Sequence, residues 1–476
     1  MRFSILLVFL VAPSLLCGQD TYKLEERTAK SNDEQILLGI FLLAAAPQTL
    51  PAQGNATNGI DAAQAKQYFD EASKICRRDA GNLWGKSLCA PMIFADPQTR
   101  TVVANQADGE SRLKPQGGVF VGSLTPEVNI ANTAMTWAGV RWTMIAWPLP
   151  ASPRARARLM MHELFHHLQD DLGLPGSSPA NAHLATLEGR IWLELEWRAL
   201  QQALARPEQG PADRKRAAED AVLFRLQRRA LFPNAAEQER QLEMNEGLAE
   251  YTGYKLRGTA DAATIQAIIG RLGDAGGESS FSRSFAYVSG PAYGMLLDLA
   301  GAPWRKGLTP KNDFGDLLCQ SYGVTLPNDV AAAANERVAV YDGAALRWSE
   351  TQQAEQREKV LHIYEARLIE GPVLILPAME KFDFSYDPNQ VIPLDESRAI
   401  YPTLRVTDVW GVLEVSNGAM VVRENGKFAR AVVQAPKASA GNSGVIEGEG
   451  WKLTLAAGWR LAEGSRKGDR LVSKSE

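Results

Sequence analysis

The feature that most constrains this chain is a change of hydrophobic period near Gly371. From Ala151 to about Gly371 apolar residues recur at helical spacing, as in Leu184, Leu187, Ile191, Leu195, Ala199 and Leu204. Beyond it come short alternating runs at 373–376, 381–386, 401–407, Gly411–Val415, 419–423, 428–433 and Trp451–Leu455, separated by Asn-Gly, Glu-Gly and similar turns. Helical patterns at 33–46 and 61–78 open the chain, and β-like runs at Met92–Ala95, Thr101–Ala104, 118–122 and 133–147 precede the helical region. The expectation is an α+β protein. A mostly helical domain with an upstream β-sheet spans 19–370, and a small all-β domain, a sandwich or barrel, spans 371–476.

Residues 1–18 read as a secretory signal, with Arg2 as the positive start, an apolar run over 5–16 and Cys17-Gly18 near a cleavage point. Anchoring as a lipoprotein through Cys17 is the alternative, but Leu16 is larger than the residue such signals carry. Export to the periplasm or exterior is the expectation. The apolar run 36–46 is too short to span a bilayer and reads as a buried helix, so no transmembrane segment is expected after signal removal. With 22% charged and 45% hydrophobic residues the chain reads as soluble and globular. A net charge of -4 argues against nucleic acid as a partner.

Beyond Cys17 the cysteines are Cys76, Cys89 and Cys319. In an oxidising compartment a Cys76–Cys89 bridge is expected, with Cys319 free and buried. None has zinc-finger spacing, so a metal site here would be built from histidine and carboxylate.

The chemistry centres on His162-Glu163-Leu164-Phe165-His166, with His167 next. Ser152 is a suitable cap and Pro153 a suitable first residue for the helix that carries it. Met161, Leu164, Phe165 and Leu168 form its apolar stripe, and Gly173 and Pro175 mark its end. A spacing of four puts both histidine rings on one face, where both can reach one metal ion. Glu163 stands beside them, placed to act on water rather than to ligate. His167 is rotated about 100° from the pair and is a neighbour, not a ligand.

A third ligand is needed. The metzincin spacing fails, because Gln169 and Leu172 occupy the positions of its glycine and third histidine. His183 and His362 are weak candidates. Asn245-Glu246-Gly247-Leu248-Ala249-Glu250-Tyr251 is stronger: Glu246 and Glu250 share a helix face, so one can bind the metal while the other accepts an imidazole N–H. The opposing reading is a solvated acidic face, with Glu237, Glu239 and Glu243 nearby. Gly247 costs about 1 kcal/mol against alanine inside a helix, and close approach of another helix or a ligand would account for it.

The H-E-x-x-H followed by N-E-x-x-x-E resembles the gluzincin, or thermolysin-like, zinc metallopeptidases. The resemblance covers these two helices. It implies a zincin-like catalytic domain, zinc held by His162, His166 and Glu246, Glu250 behind His162, and Glu163 as general base. Glu188, at a shorter spacing from His166, is the alternative ligand, but Trp192 stands where its supporting carboxylate would be. The aminopeptidase G-x-M-E-N signature is absent. An oxyanion donor is also needed, and Tyr287 is preferred to Tyr293; both are expected to precede or open a helix starting near Pro291. The strand before the metal helix is expected either to pair with an extended substrate or to lie inside the sheet with its tryptophans in the core. The function expected is a secreted zinc peptidase acting on a peptide or protein substrate. The rival is a non-catalytic exported binding protein with a structural or vestigial metal site. The partner of the β domain cannot be read.

Overall fold

The computed structural model describes residues 59–475, apart from 206–209, 388–389, 426 and 437–443. The expected signal sequence and the helix expected over 33–46 fall outside the described residues. The first helix, α1 (Ala62–Asp79), starts at Asp61, whose carboxylate accepts from the Gln64 N–H at 2.7 Å. Cys76 on its last turn is bonded to Cys89, with their Cα atoms 5.4 Å apart. Cys319 is free and half-buried, and burial pushes its thiol up to about 11.

Six strands follow: β1 (Met92–Ala95), β2 (Thr101–Ala104), β3 (Lys114–Gln116), β4 (Val119–Ser123), β5 (Thr133–Trp137) and β6 (Val140–Ala146). They form one sheet in the order β3-β4-β2-β1-β6-β5, in which only β1 and β6 run parallel. The run 133–147, expected as a single strand, is a hairpin. Trp137 pairs with Val140 across Ala138-Gly139, both at positive φ (49° and 75°), the two-residue turn that suits the twist of paired strands. The strand just before the His162/His166 helix is therefore internal, with Trp142 fully buried, and β5 is the edge.

The helical body comprises α2 (Pro153–Leu168), α3 (Leu187–Ala205), α4 (Pro211–Leu231), α5 (Ala235–Leu242), α6 (Leu248–Leu256), α7 (Asp261–Asp274), α8 (Ser284–Leu299), α9 (Phe314–Tyr322), α10 (Val330–Arg337) and α11 (Gly343–Glu365). A π-turn, Glu243–Gly247, joins α5 to α6. Helix α8 begins at Ser284, so Pro291 lies inside it rather than at its start. The acidic run before Glu246 is not a solvated face. Glu239 and Glu243 are fully buried and, with Glu196 and Asp313, enclose Arg225, Arg228 and Arg229. Only Glu237 of that run faces solvent.

The C-terminal strands are β7 (Val373–Pro377), β8 (Asp383–Tyr386), β9 (Ile392–Pro393), β10 (Arg398–Tyr401), β11 (Leu404–Asp408), β12 (Gly411–Val415), β13 (Ala419–Glu424), β14 (Lys427–Gln434), β15 (Val445–Gly448), β16 (Trp451–Leu455), β17 (Trp459–Glu463) and β18 (Arg470–Lys474). They form a seven-stranded sheet, β17-β18-β7-β14-β13-β10-β9, and a five-stranded one, β15-β16-β12-β11-β8. Leu374, Leu376 and Val433 of the first pack with Val406, Leu413 and Leu453 of the second, which makes a sandwich. The run 401–407 breaks at Pro402, which lacks an N–H for a ladder, and the chain crosses from one sheet to the other there. The α+β class stands. No helix among the described residues is long and apolar enough to cross a membrane.

Candidate metal centre

Helix α2 buries Met160, Met161, Leu164, Phe165 and Leu168, which turns the His162/His166 face toward α6. Its start differs from expectation. The Ser152 hydroxyl makes no cap bond, and the incoming chain is held by Arg156, whose Nη1 donates to the carbonyls of Pro150 and Ala151, both at 3.0 Å.

Glu246 sits on the π-turn, and its position follows from a glycine pair. A Cβ on Gly290 would lie 2.3 Å from the Gly247 Cα, so α8 meets the π-turn backbone to backbone. Close helix approach is thus the reason for Gly247. The same approach brings Tyr287, in the first turn of α8, to the Glu246 carboxylate, where its hydroxyl donates to Oε2 at 2.6 Å. A π-turn carries one extra residue per turn, a local irregularity frequent at functional sites.

The three expected ligands converge. His162 Nε2 and His166 Nε2 are 3.1 Å apart, and Glu246 Oε2 lies 3.4 Å from the first and 3.3 Å from the second. Three donors about 2.1 Å from one tetrahedral ion would be about 3.4 Å apart, so the set fits a four-coordinate cation with one position left over.

The tautomers agree. His162 Nδ1 donates to Glu250 Oε2 at 2.9 Å. His166 Nδ1 donates to Gln169 Oε1 at 2.9 Å, and the Gln169 amide is oriented by its own donation to the Met244 carbonyl at 3.4 Å. With both Nδ1 atoms protonated, both Nε2 lone pairs point at the space beside Glu246. Such a pocket demands positive charge. Among protein groups alone, burial lowers the His162 pKa, but Glu246 and Glu250 outweigh it and carry it to about 10. Burial pushes Glu246 up, yet the two histidines hold it well below the usual carboxylate range.

Glu163 is buried beside this cluster, with Oε1 4.0 Å from His162 Nε2 and Oε2 without a hydrogen-bond partner among the described residues. Burial raises its pKa, against the pull of His162 and His166. Tyr287 stacks on the His162 ring, with centroids 5.5 Å apart and planes at 6°.

Sequence reasoning missed the residues that hold the ligands. Arg283 Nη2 donates to Glu246 Oε1 at 3.0 Å, and Arg158 Nη1 donates to Glu250 Oε1 at 2.9 Å. Arg158 lies four before His162 and Gln169 three after His166, spacings that a search of the helix face would have flagged. Arg283 left only its four-residue offset from Tyr287. The weaker candidates go elsewhere. Glu188 pairs with Arg347 at the surface, so the short-spacing alternative is not assembled. Tyr293 donates to Glu196 at 2.7 Å in the buried arginine cluster, His183 pairs with Glu239 at 2.8 Å, and His362 is exposed beside Glu358 and Glu365. His167 takes no part in the ligand set.

The His162, His166 and Glu246 cluster opens into a cleft of about 1350 Å³, also lined by the segment before and including part of β5 and by β8 and part of β11. The chain matches no protein-family model, no curated protein and no solved structure.

Proposed function

We propose that this chain is an exported zinc-dependent peptidase of gluzincin type. The observation that carries the reading is the set of three donor atoms at tetrahedral-edge spacing, with the partnerless Glu163 oxygen beside it. Two imidazoles and a carboxylate with one position open are a catalytic zinc donor set, and a purely structural site has no use for a neighbouring base. Zinc held there supplies a Lewis acid for the scissile carbonyl and lowers the pKa of a water to about 7.

The chain's own residues do the rest. Glu163 takes a proton from the attacking water and returns it to the leaving amine nitrogen. Glu250 and Gln169 fix the tautomers and ring orientations of His162 and His166. Arg283 steadies Glu246 from its far oxygen. Tyr287 donates to Glu246 and lies against His162, from where its hydroxyl can turn toward the substrate oxyanion. The edge strand β5 along the cleft favours a peptide main chain as substrate. The Cys76–Cys89 bridge supports an oxidising compartment, in line with secretion or export to the periplasm.

The test is elemental analysis of the purified protein beside cleavage of a mixed peptide library, with and without chelator. One zinc per chain and chelator-sensitive cleavage are expected. A zinc-loaded protein that cleaves no peptide would overturn the peptidase reading.

A further inference from the structure

We infer that the C-terminal sandwich is the second wall of the substrate cleft, and that an extended polypeptide lies between two facing sheet edges, β5 and β8. The inference deepens the peptidase reading and rests on it for the nature of the occupant.

The lining pattern is the first support. Successive side chains of a strand point to opposite faces, so a strand presenting a face contributes every second residue to a cavity wall. Here three successive residues of β5, Thr133 to Met135, and all four of β8, Asp383 to Tyr386, line the cleft, with the non-strand residues 127–132 beside the first. What faces the cavity is the strand edge, with its main-chain groups. Topology agrees: β5 ends the six-stranded sheet, β8 ends the five-stranded one, and among the described residues no strand pairs with the outer side of either.

The edges are also treated differently. β3, the opposite edge of the N-terminal sheet, is blunted by Lys114 and Pro115. β5 reads Thr-Ala-Met-Thr-Trp, with no proline and no charge to repel a partner strand.

The spacing between the two walls is fixed by direct bonds. Arg405, paired with Ser385 of β8, donates to Asn129 Oδ1 and to the Pro126 carbonyl, both at 2.6 Å. Asn129 Nδ2 donates to the Thr407 hydroxyl at 3.1 Å. At the inner end Tyr386 lies under the Arg283 guanidinium, 5.8 Å from centroid to charge, and Arg283 binds Glu246. The sandwich therefore reaches the metal ligand through a single intervening side chain. At about 3.3 Å per residue, the three β5 residues and four β8 residues that line the cleft grip about three or four residues of main chain on each side, with little dependence on side-chain identity.

The experiment uses the full chain carrying Glu163→Gln, zinc-loaded, with fluorescein-labelled peptides of about three and about ten residues and a ten-residue version N-methylated at alternate positions. Anisotropy should show the long peptide binding at least about tenfold tighter than both the short and the methylated ones. A benzophenone at its centre should cross-link to residues within 133–137 and 383–386. Equal affinity for the methylated peptide, or cross-links that never reach 383–386, would overturn the inference. Cleavage by the wild-type chain is read separately. Length-dependent, methylation-sensitive binding without cleavage keeps the two-edged cleft and removes the peptidase; cleavage without such binding does the reverse.

Discussion

Tyr287 donates its hydroxyl hydrogen to the one Glu246 oxygen that faces both His162 and His166. Arg283 takes the other oxygen, so the carboxylate is held from both sides before any ligand or substrate is considered. Tyr287→Phe should therefore keep zinc, because Arg283 remains, while kcat falls about 10- to 100-fold, the size of losing one charge-assisted hydrogen bond. KM should move little. Steady-state kinetics with zinc content measured on the same sample decides it; wild-type kcat in the variant would remove Tyr287 from the chemistry.

Glu163→Gln removes the base and keeps the shape. The fold and zinc content should be unchanged, and turnover should drop by about 10²- to 10⁴-fold. Near wild-type cleavage would end the general-base assignment.

The ligand assignment predicts a ranking. Glu246→Ala should lose zinc on dialysis, Glu250→Ala should bind it about 10–100-fold more weakly, and Glu188→Ala should bind it as the wild type does. Elemental analysis with circular dichroism on each variant tests this. A zinc-free Glu188→Ala would contradict the surface pairing of Glu188 with Arg347.

Unreduced peptide mapping should recover Cys76 and Cys89 as one linked species and Cys319 as an alkylatable thiol. For a loop of this size the bridge should contribute about 3 kcal/mol, read as a fall in denaturation midpoint on reduction. Complete alkylation of Cys76 without reductant would exclude the bridge.

Acid stability should be governed in part by Glu239. Burial raises its pKa, but Arg228 and Arg229 outweigh burial and hold it well below the ordinary value of 4.5. A depressed folded pKa means the unfolded chain binds the proton first. The contribution is thus complete above about pH 4.5 and is lost as pH falls from there toward the folded value. Glu239→Gln should lose about 3–5 kcal/mol near neutrality, because Arg228 is left buried with less compensation. It should also show a shallower loss of stability between about pH 5 and 3. Thermal melts across that range would expose the error if the variant kept the wild-type acid slope.

Much of the site was legible because it is local. Residues four apart on a helix share a face whatever surrounds them, so His162 with His166 and Glu246 with Glu250 announced two donor pairs. The turn chemistry and alternating runs after Gly371 likewise announced the β domain, and Gly411–Val415 and Trp451–Leu455 coincide with observed strands. The acidic run before Glu246 misled, because its charge pattern cannot tell a wet face from one paired with buried arginines. Those arginines all lie on α4, and the carboxylates of Glu196 and Asp313 that complete the cluster come from segments distant in sequence.

What only the tertiary structure decided is which distant groups meet. Arg283 reaches Glu246 because Gly247 and Gly290 let two backbones touch, a contact that depends on the absence of a Cβ at both positions and leaves no periodicity to read. Glu246 lies on a π-turn, which shifts the helix phase from which its face was inferred. The run 133–147 became a hairpin because Ala138 accepts a left-handed φ beside Gly139, which decided between the two expected places for the strand, putting β6 inside the sheet and making β5 the edge. The sequence by itself determined that His162 and His166 share one helix face, through a spacing enforced by the helix. The walls of the cleft were decided by long-range packing, because the chain's local periods carry no record of which sheet edge will face another.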